Sequence, residues 1–319
     1  MTSYLRKVIT VKKMSGVESK NANLGIDTYL VDAFTDKIFL GNPAAVCLMT
    51  KYEAKKLNDN DFVMIAAELN QPNTAFVVSE NNDFTTGSQF GLRWCTRLKE
   101  VDLCGHGTMA ASAVLFYTLG NDNEQLEFST KSGPLYVKKA SNRGISMNLP
   151  ISPPEPMNQE PFSDLLKITV GDVDLVQEVQ LDKTGKLLVR LRDEVTREAL
   201  MKLKPQTEAM VSTYNKGDLH GIGVTLKGSR KNGCVDKDGN VYDFVSRYFC
   251  PWDGPLEDQV CGSWHTVICD YWSKELGKQD LYVNQCSPRG GQLWLTVGED
   301  GRVTLSGQAV MRMKGVFFL

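Results

Sequence analysis

A repeat constrains a fold more tightly than any single motif, because homologous segments must fold alike and pack alike. This chain of 319 residues carries one. LCGHGTMAASAVLFYTLG, Leu103 to Gly120, and VCGSWHTVICDYWSKELG, Val260 to Gly277, share a layout of Cys-Gly, an apolar-rich segment and a closing Leu-Gly. Cys104 and Cys261 lie 157 positions apart, as do Gly120 and Gly277, and as do Glu100 and Glu257, which stand four before their cysteines. Phe90-Gly-Leu-Arg93-Trp94 answers Phe244-Val-Ser-Arg247-Tyr248 at an offset of 154, a three-residue difference in a connecting loop.

Short alternating or apolar runs around each copy predict strands. In the first half they fall at Thr28–Phe34, after the Gly41-Asn42-Pro43 turn, and near 75–78, 90–95, 126–129, 135–139 and 145–149, with a helix over Glu53–Leu69. The second half repeats the plan from 174 onward, with helical segments to about Val211 and strand-like LYVNQC, QLWLTV and RVTLSG after its Cys-Gly helix. The expectation is an α+β chain of two similar halves, 26–149 and 162–308, each wrapping many strands around one helix. Five prolines between Pro150 and Pro161 read as a linker over 150–161, and the last strand, 309–319, is expected to return to the first half.

Composition excludes several partners. With 42% apolar and 23% charged residues and a formal charge of −2, the chain has no electrostatic footprint for nucleic acid. No apolar run reaches the roughly 18 residues of a membrane helix, and the amino terminus lacks a secretory apolar core, so a cytosolic protein without membrane contact is expected. Residues 1–25 carry five Lys or Arg against one acidic residue and read as a disordered extension. The eight cysteines show no Cys-x-x-Cys spacing and read as reduced thiols, and the three histidines offer no zinc-site spacing. No metal or cofactor is expected.

The cysteines before the two helices carry the chemistry. The first turn of a helix has unpaired N–H groups and the positive end of the helix dipole, which attract a carboxylate and favour a thiolate. Glycine after each cysteine lets a ligand approach the backbone. Two such ends facing one cleft would hold a small carboxylate between two thiols, one removing a proton from carbon and the other supplying one to the opposite face, which is racemase or epimerase chemistry. Helix-end electrostatics are expected to lower at least one of these thiol pKa values, and an anion is expected between Gly105 and Gly262–Ser263. The plainer alternatives are a small apolar filler for any cysteine, a surface or cap role for His106, and a helix cap for Asp258. Cys47, Cys95, Cys234, Cys250, Cys269 and Cys286 take the filler reading.

The segments VDAFTDKIFLGNPAAVCL, LCGHGTMAAS, SRYFCPWDGPLEDQVCGS and NQCSPRGGQLWLTV resemble, in order and spacing, those of the phenazine-biosynthesis-like (PhzF-like) family, from about residue 27 to the carboxyl terminus. The resemblance implies the diaminopimelate epimerase fold, with two pseudo-symmetric domains, each a strongly curved, mostly antiparallel sheet around a central helix. It further implies an isomerase-type site between them, no cofactor, and a homodimer. Cys104, Cys261, His106 and Asp258 are the expected catalytic residues, and Asn42, Asn73, Gly105, Gly107, Gly262 and Ser263 the expected substrate contacts. Three positions depart from the family pattern. The glutamate of its Leu-Ser-Glu-Thr segment falls on Asn73, which cannot act as a base; Cys261 stands where threonine is common; and Trp264 and Gln259 replace alanine and proline, an indole expected to narrow the cleft.

The leading expectation is therefore a cofactor-independent isomerase or epimerase for a small carboxylate, with the two thiols as the acid and base. A binding or regulatory module that keeps the fold without the reaction is the rival, since Asn73 permits it. Isomerase chemistry through His106 and Asp258 alone is the third reading.

Overall fold

The computed structural model describes residues 24–319. The extension expected over 1–25 lies outside the described residues up to 23, and Gly25 already opens the first strand. The first half runs β1 (Gly25–Ala33), β2 (Asn42–Thr50), α1 (Lys51–Ala54), α2 (Asp59–Leu69), β3 (Thr74–Ser79), β4 (Gln89–Cys95), β5 (Glu100–Val101), α3 (Gly105–Ala113), β6 (Gln125–Thr130), β7 (Gly133–Ala140) and β8 (Gly144–Pro150). The second runs β9 (Pro154–Met157), α4 (Ser163–Val170), β10 (Val176–Asp182), β11 (Lys186–Leu191), α5 (Arg197–Lys202), α6 (Thr207–Thr213), β12 (Gly221–Lys227), β13 (Phe244–Phe249), α7 (Gly262–Leu276), β14 (Asp280–Gln285), β15 (Gly291–Val297), β16 (Arg302–Gly307) and β17 (Ala309–Phe318).

Strand pairing repeats as the sequence does. β1 pairs antiparallel with β2, which lies parallel to β3; β3 is antiparallel to β4, β4 parallel to β6, and β6, β7 and β8 follow antiparallel. The series from β10 through β11, β12, β13, β14, β15 to β16 has the same signs in the same order. The two series join where β8 lies antiparallel to β16, its equivalent. Two strands cross over. β9 follows β8 but pairs with β10, and β17 follows β16 but pairs with β1, from Gly25↔Phe318 to Ala33↔Ala309.

Each half closes around one helix. Apart from His106, α3 is apolar or small on every side, and it is buried at every residue, as a helix enclosed by sheet must be. It packs on β1, β2, β3, β8 and β17 and runs on into a π-helical turn, Val114–Thr118. α7 packs on β9, β11, β14, β15 and β16 and ends at Gly277, whose φ of 62° is the left-handed cap that favours glycine.

Two expectations fail for local reasons. The helix read over Glu53–Leu69 is two, because Asn58 caps a new start, accepting from the Asn60 and Asp61 N–H groups while Asp61 answers the Asn58 N–H. The proline-rich linker 150–161 contains β9, whose prolines are tolerated because the strand pairs on one side only, with β10.

The repeated Arg and Glu prove to be paired. Arg93 holds Glu100 through Nε–Oε1 (2.9 Å) and Nη2–Oε2 (2.7 Å), and Arg247 holds Glu257 through the same atoms at 2.8 and 2.8 Å. Each bidentate pair ties the central strand of its half to the segment leading into its Cys-Gly helix. The longer connection is the second, which fits a 3-10 turn, Pro251–Asp253, between the partners. Arg247 is the more enclosed, at 7% side-chain exposure against 24% for Arg93, and its Nη1 also donates to the Leu203 carbonyl at 2.8 Å. Replacing Arg247 by Met strands a buried carboxylate and is expected to cost about 3–5 kcal/mol. Arg93→Met should cost less than half of that, and urea unfolding midpoints check the order; an equal loss would mean that Glu257 finds water.

Candidate active site

α3 and α7 meet head to head. A Cβ placed on Gly105 would lie 3.2 Å from the Gly262 Cα, and one placed on Gly262 would lie 3.2 Å from the Gly105 Cα. A side chain at either position would press the two helix starts apart by a few tenths of an ångström, so glycine suits both. The contact leaves no space for an anion between the two glycines themselves, which corrects that expectation.

Each cysteine sits at its own helix start. Cys104 is the N-cap of α3, and its Sγ accepts from the Gly107 N–H at 3.4 Å and lies 3.4 Å from His106 Nδ1. Cys261 holds the same position on α7, with Sγ 3.4 Å from the Ser263 hydroxyl. Both thiols are buried, and burial decides their ionisation. The Cys104 pKa is pushed up to about 12, by desolvation first and by the Asp258 charge, against the lowering effect of the Gly107 N–H. Cys261 is raised well above the ordinary thiol value, again by burial and then by Asp258. The expected lowering is thus overturned: losing water outweighs the helix end. Burial also lowers the His106 pKa, with the Asp258 charge opposing it.

Asp258 is the charge these groups share, and it does not cap a helix. It lies in the segment before α7, its N–H bonded to the Tyr248 carbonyl at 3.0 Å. From the other half, Asn42 Nδ2 donates to Asp258 Oδ1 at 2.6 Å and to the Val260 carbonyl at 2.9 Å. Cys104, His106, Cys261, Asp258, Asn42, Gly105, Gly262 and Ser263 are therefore brought together.

Asn73 and Gly107 complete the first-half wall. A Cβ on Gly107 would meet Asn73 Oδ1 and Trp94 Cδ1 at 2.9 Å and Cys104 Sγ at 3.2 Å. Asn73 Oδ1, Asn42 Oδ1 and Trp94 Nε1 are all buried without a hydrogen-bond partner. Buried polar atoms of this kind are rare unless water or a ligand satisfies them. Trp264 does not narrow the site. Its indole turns into the core, stacked on Tyr248 with ring centroids 5.4 Å apart, and Nε1 donates to Ser246 Oγ at 3.2 Å.

Three supporting residues escape a reading by motif. Gln285 accepts from the Cys261 N–H at 2.9 Å and donates to the Asp258 carbonyl at 2.6 Å, so one amide fixes both. Arg289 donates to Asp32 (2.8 Å), Gly41 O (2.8 Å) and Leu40 O (2.8 Å), pinning the loop before Asn42. His265, fully buried on α7, donates Nδ1–H to the Cys261 carbonyl at 2.7 Å. The NQCSPRGG segment holds the first two, but an amide and a surface-type arginine announce no chemistry in sequence.

The family model of the phenazine biosynthesis-like proteins (PhzC-PhzF) matches residues 31–315. The chain is 43% identical over 290 residues to the phenazine biosynthesis-like domain-containing protein of Bos taurus, covering 90% of this chain and 97% of that one. It is 36% identical over 291 residues to an uncharacterized isomerase of Pseudomonas aeruginosa, covering 91% and 97%. Among solved structures, a PhzF family protein of Enterococcus faecalis superposes with a TM-score of 0.77 at 34% identity, covering 93% and 100%. A hydroxyproline epimerase of Agrobacterium vitis shares the fold, with a TM-score of 0.53 at 9% identity over 92% and 93% of the two chains.

Buried and neutral, His265 titrates at about 4 against an ordinary 6.5. Between those values the unfolded chain binds more protons than the folded one, so stability falls as the pH drops from 6.5 toward 4, by up to about 3 kcal/mol. His265→Phe keeps a ring against Phe244 and removes the titration. Its melting temperature should fall less steeply than the wild type's over that window; parallel curves would assign the acid sensitivity elsewhere.

Proposed function

Because the chain belongs to the PhzC-PhzF family of phenazine biosynthesis-like proteins, we propose that it is a cofactor-independent isomerase or epimerase that moves a proton on a small carboxylate. The observation that carries this reading is the Gly105–Gly262 contact, which sets Cys104 and Cys261 under the single charge of Asp258. One thiolate removes the proton from the carbon beside the carboxylate. The electron pair moves onto the carboxylate oxygens, where the free N–H groups of the two first turns receive the charge. The other thiol returns a proton to the opposite face, and its sulfur becomes the thiolate. A thiol of raised pKa is scarce as thiolate but strong as a base, which suits a weakly acidic carbon. His106 and Asp258 pass protons and charge to the pair, and Asn42 holds Asp258 in place.

The relatives support the class: one at 36% identity is named an isomerase. The reading takes the reaction to lie in a cleft between two domains, 26–149 with 309–319 and 162–308, of a cytosolic homodimer. Asn73 favours a second reading. It stands where the family resemblance places a glutamate, buried beside Cys104 with an unpartnered amide oxygen, and so suits a site that binds its ligand without turning it over.

Proton NMR in deuterated water, over a panel of 2-amino, 2-hydroxy and unsaturated carboxylates, separates the two. Cys104→Ser and Cys261→Ser should each slow exchange of the carbon-bound proton by about 10²–10⁴-fold. Exchange that survives the double substitution but not His106→Asn or Asp258→Asn would move the chemistry to that pair, and binding without exchange across the panel would favour the binding module. The pH profile supplies a further check. Because both thiols are raised, only a small fraction is thiolate at neutral pH, so kcat/KM should climb about tenfold per pH unit from 7 to 9; a plateau beginning near pH 7 would exclude a buried thiolate as the base.

A further inference from the structure

Superposing the two halves by their strand pairing exposes an unequal exchange of side chains at the two helix starts. In the first half Ala75 faces Trp94 across β3 and β4, and in the second Gly223 faces Tyr248 across β12 and β13. Tyr248 is thus the counterpart of Trp94, and Gly221 the counterpart of Asn73, two residues before the paired position in each case. The 157-residue offset makes Trp264 the counterpart of Gly107.

These three replacements compensate one another. Where Gly107 leaves room, the Trp94 ring edge, the Asn73 amide oxygen and Cys104 Sγ gather around it. Where Trp264 fills its own room, its indole lies over Gly223, and the Tyr248 ring is carried outward along the strand until its hydroxyl covers Gly221. A Cβ at Gly221 would collide with that hydroxyl. The phenol therefore occupies, in the second half, the volume that the Asn73 side chain occupies in the first. That is the cleft end of the strand, since Asn73 lies beside Cys104. Tyr248 is 3% exposed, no hydrogen bond within the described residues acts on its hydroxyl, and its pKa is raised well above the ordinary phenol value by burial first and then by Cys261, Cys250, Asp253 and Asp258.

We infer that the Tyr248 hydroxyl is a ligand-facing hydrogen-bond donor of this site, the counterpart of the Asn73 carboxamide, and that it receives a carboxylate oxygen of the ligand beside Cys261. This inference rests on the carboxylate site proposed above but not on catalysis there. A phenol held neutral by burial donates and does not act as a base, so Tyr248 positions the ligand and takes no proton from it. The two walls then differ in kind. One presents an amide with N–H donors and a carbonyl acceptor on separate atoms, the other a hydroxyl with one O–H to donate and the same oxygen to accept, and a ligand with unlike ends is held in one orientation.

Two alkylating agents of nearly equal size test this without knowledge of the natural ligand. Iodoacetate carries a carboxylate, and iodoacetamide does not. Their labelling rates at Cys261 and Cys104 are read by peptide mass spectrometry at pH 8–9 in wild type, Tyr248→Phe, which keeps the ring and its stack on Trp264, and Tyr136→Phe, an exposed control. The ratio of iodoacetate to iodoacetamide labelling at Cys261 should fall about tenfold in Tyr248→Phe, as for loss of one hydrogen bond to a charged group, with the Cys104 ratio and the control unchanged. An unchanged ratio at Cys261, an equal fall at both cysteines, or a Cys261 that neither reagent reaches would each overturn the donor role. Proton exchange in wild type with an unchanged ratio in Tyr248→Phe would sink this inference and leave the isomerase standing. A fallen ratio without exchange would do the reverse.

Discussion

Two helices pointing their N-termini at each other place two partial positive charges of about half a unit each at contact distance. That arrangement repels itself, and much of the surrounding structure answers it. Gly105 and Gly262 bring the ends together, and Asp258 brings a carboxylate to them, held by Asn42 from the other half of the chain while Gln285 fixes the Asp258 backbone carbonyl. Both cysteines stand at N-cap positions, with only the Cys104 sulfur accepting a first-turn N–H, and both thiols, being buried, stay protonated. One fixed negative charge thus faces two helix ends, and the remaining positive potential is available to an anionic ligand.

Burial and helix ends act in opposite directions at these thiols, and magnitude decides between them. An exposed cysteine at a helix start becomes more acidic. Here the sheets close over both sulfurs, and the cost of an unhydrated thiolate exceeds what a few N–H groups return. The same closure lowers the pKa of the two histidines on these helices, His106 and His265, and keeps both neutral.

The repeat made the paired helices and the like order of strands legible in sequence, because equal spacing must reflect equal folds. It carried no information about direction. Trp264 stands three residues past Cys261, but whether its indole turns toward the site or the core depends on Gly223 and Tyr248, which lie on other strands. The bidentate pairing of Arg93 with Glu100 and of Arg247 with Glu257 was present as matched letters and became an interaction only once β4 and β13 were placed. Ionisation was the least legible property. The residue types flanking Cys104 and Cys261 argue for acidity, and only the degree of enclosure, a property of the assembled sheets, reverses the sign.

The exchange of β9 and β17 between the halves bears on how the chain is made. β1 opens the described residues, yet the strand that covers its outer edge, β17, is synthesised only after β2 through β16. As the chain leaves the ribosome, the first half holds its strands and its helix but shows an unpaired edge until the ten residues of β17 arrive. Exposed edges of that kind recruit other chains. Translation of β17 is thus the step that seals the first half, and a chain halted shortly before it would keep a nearly complete first half with its adhesive side open.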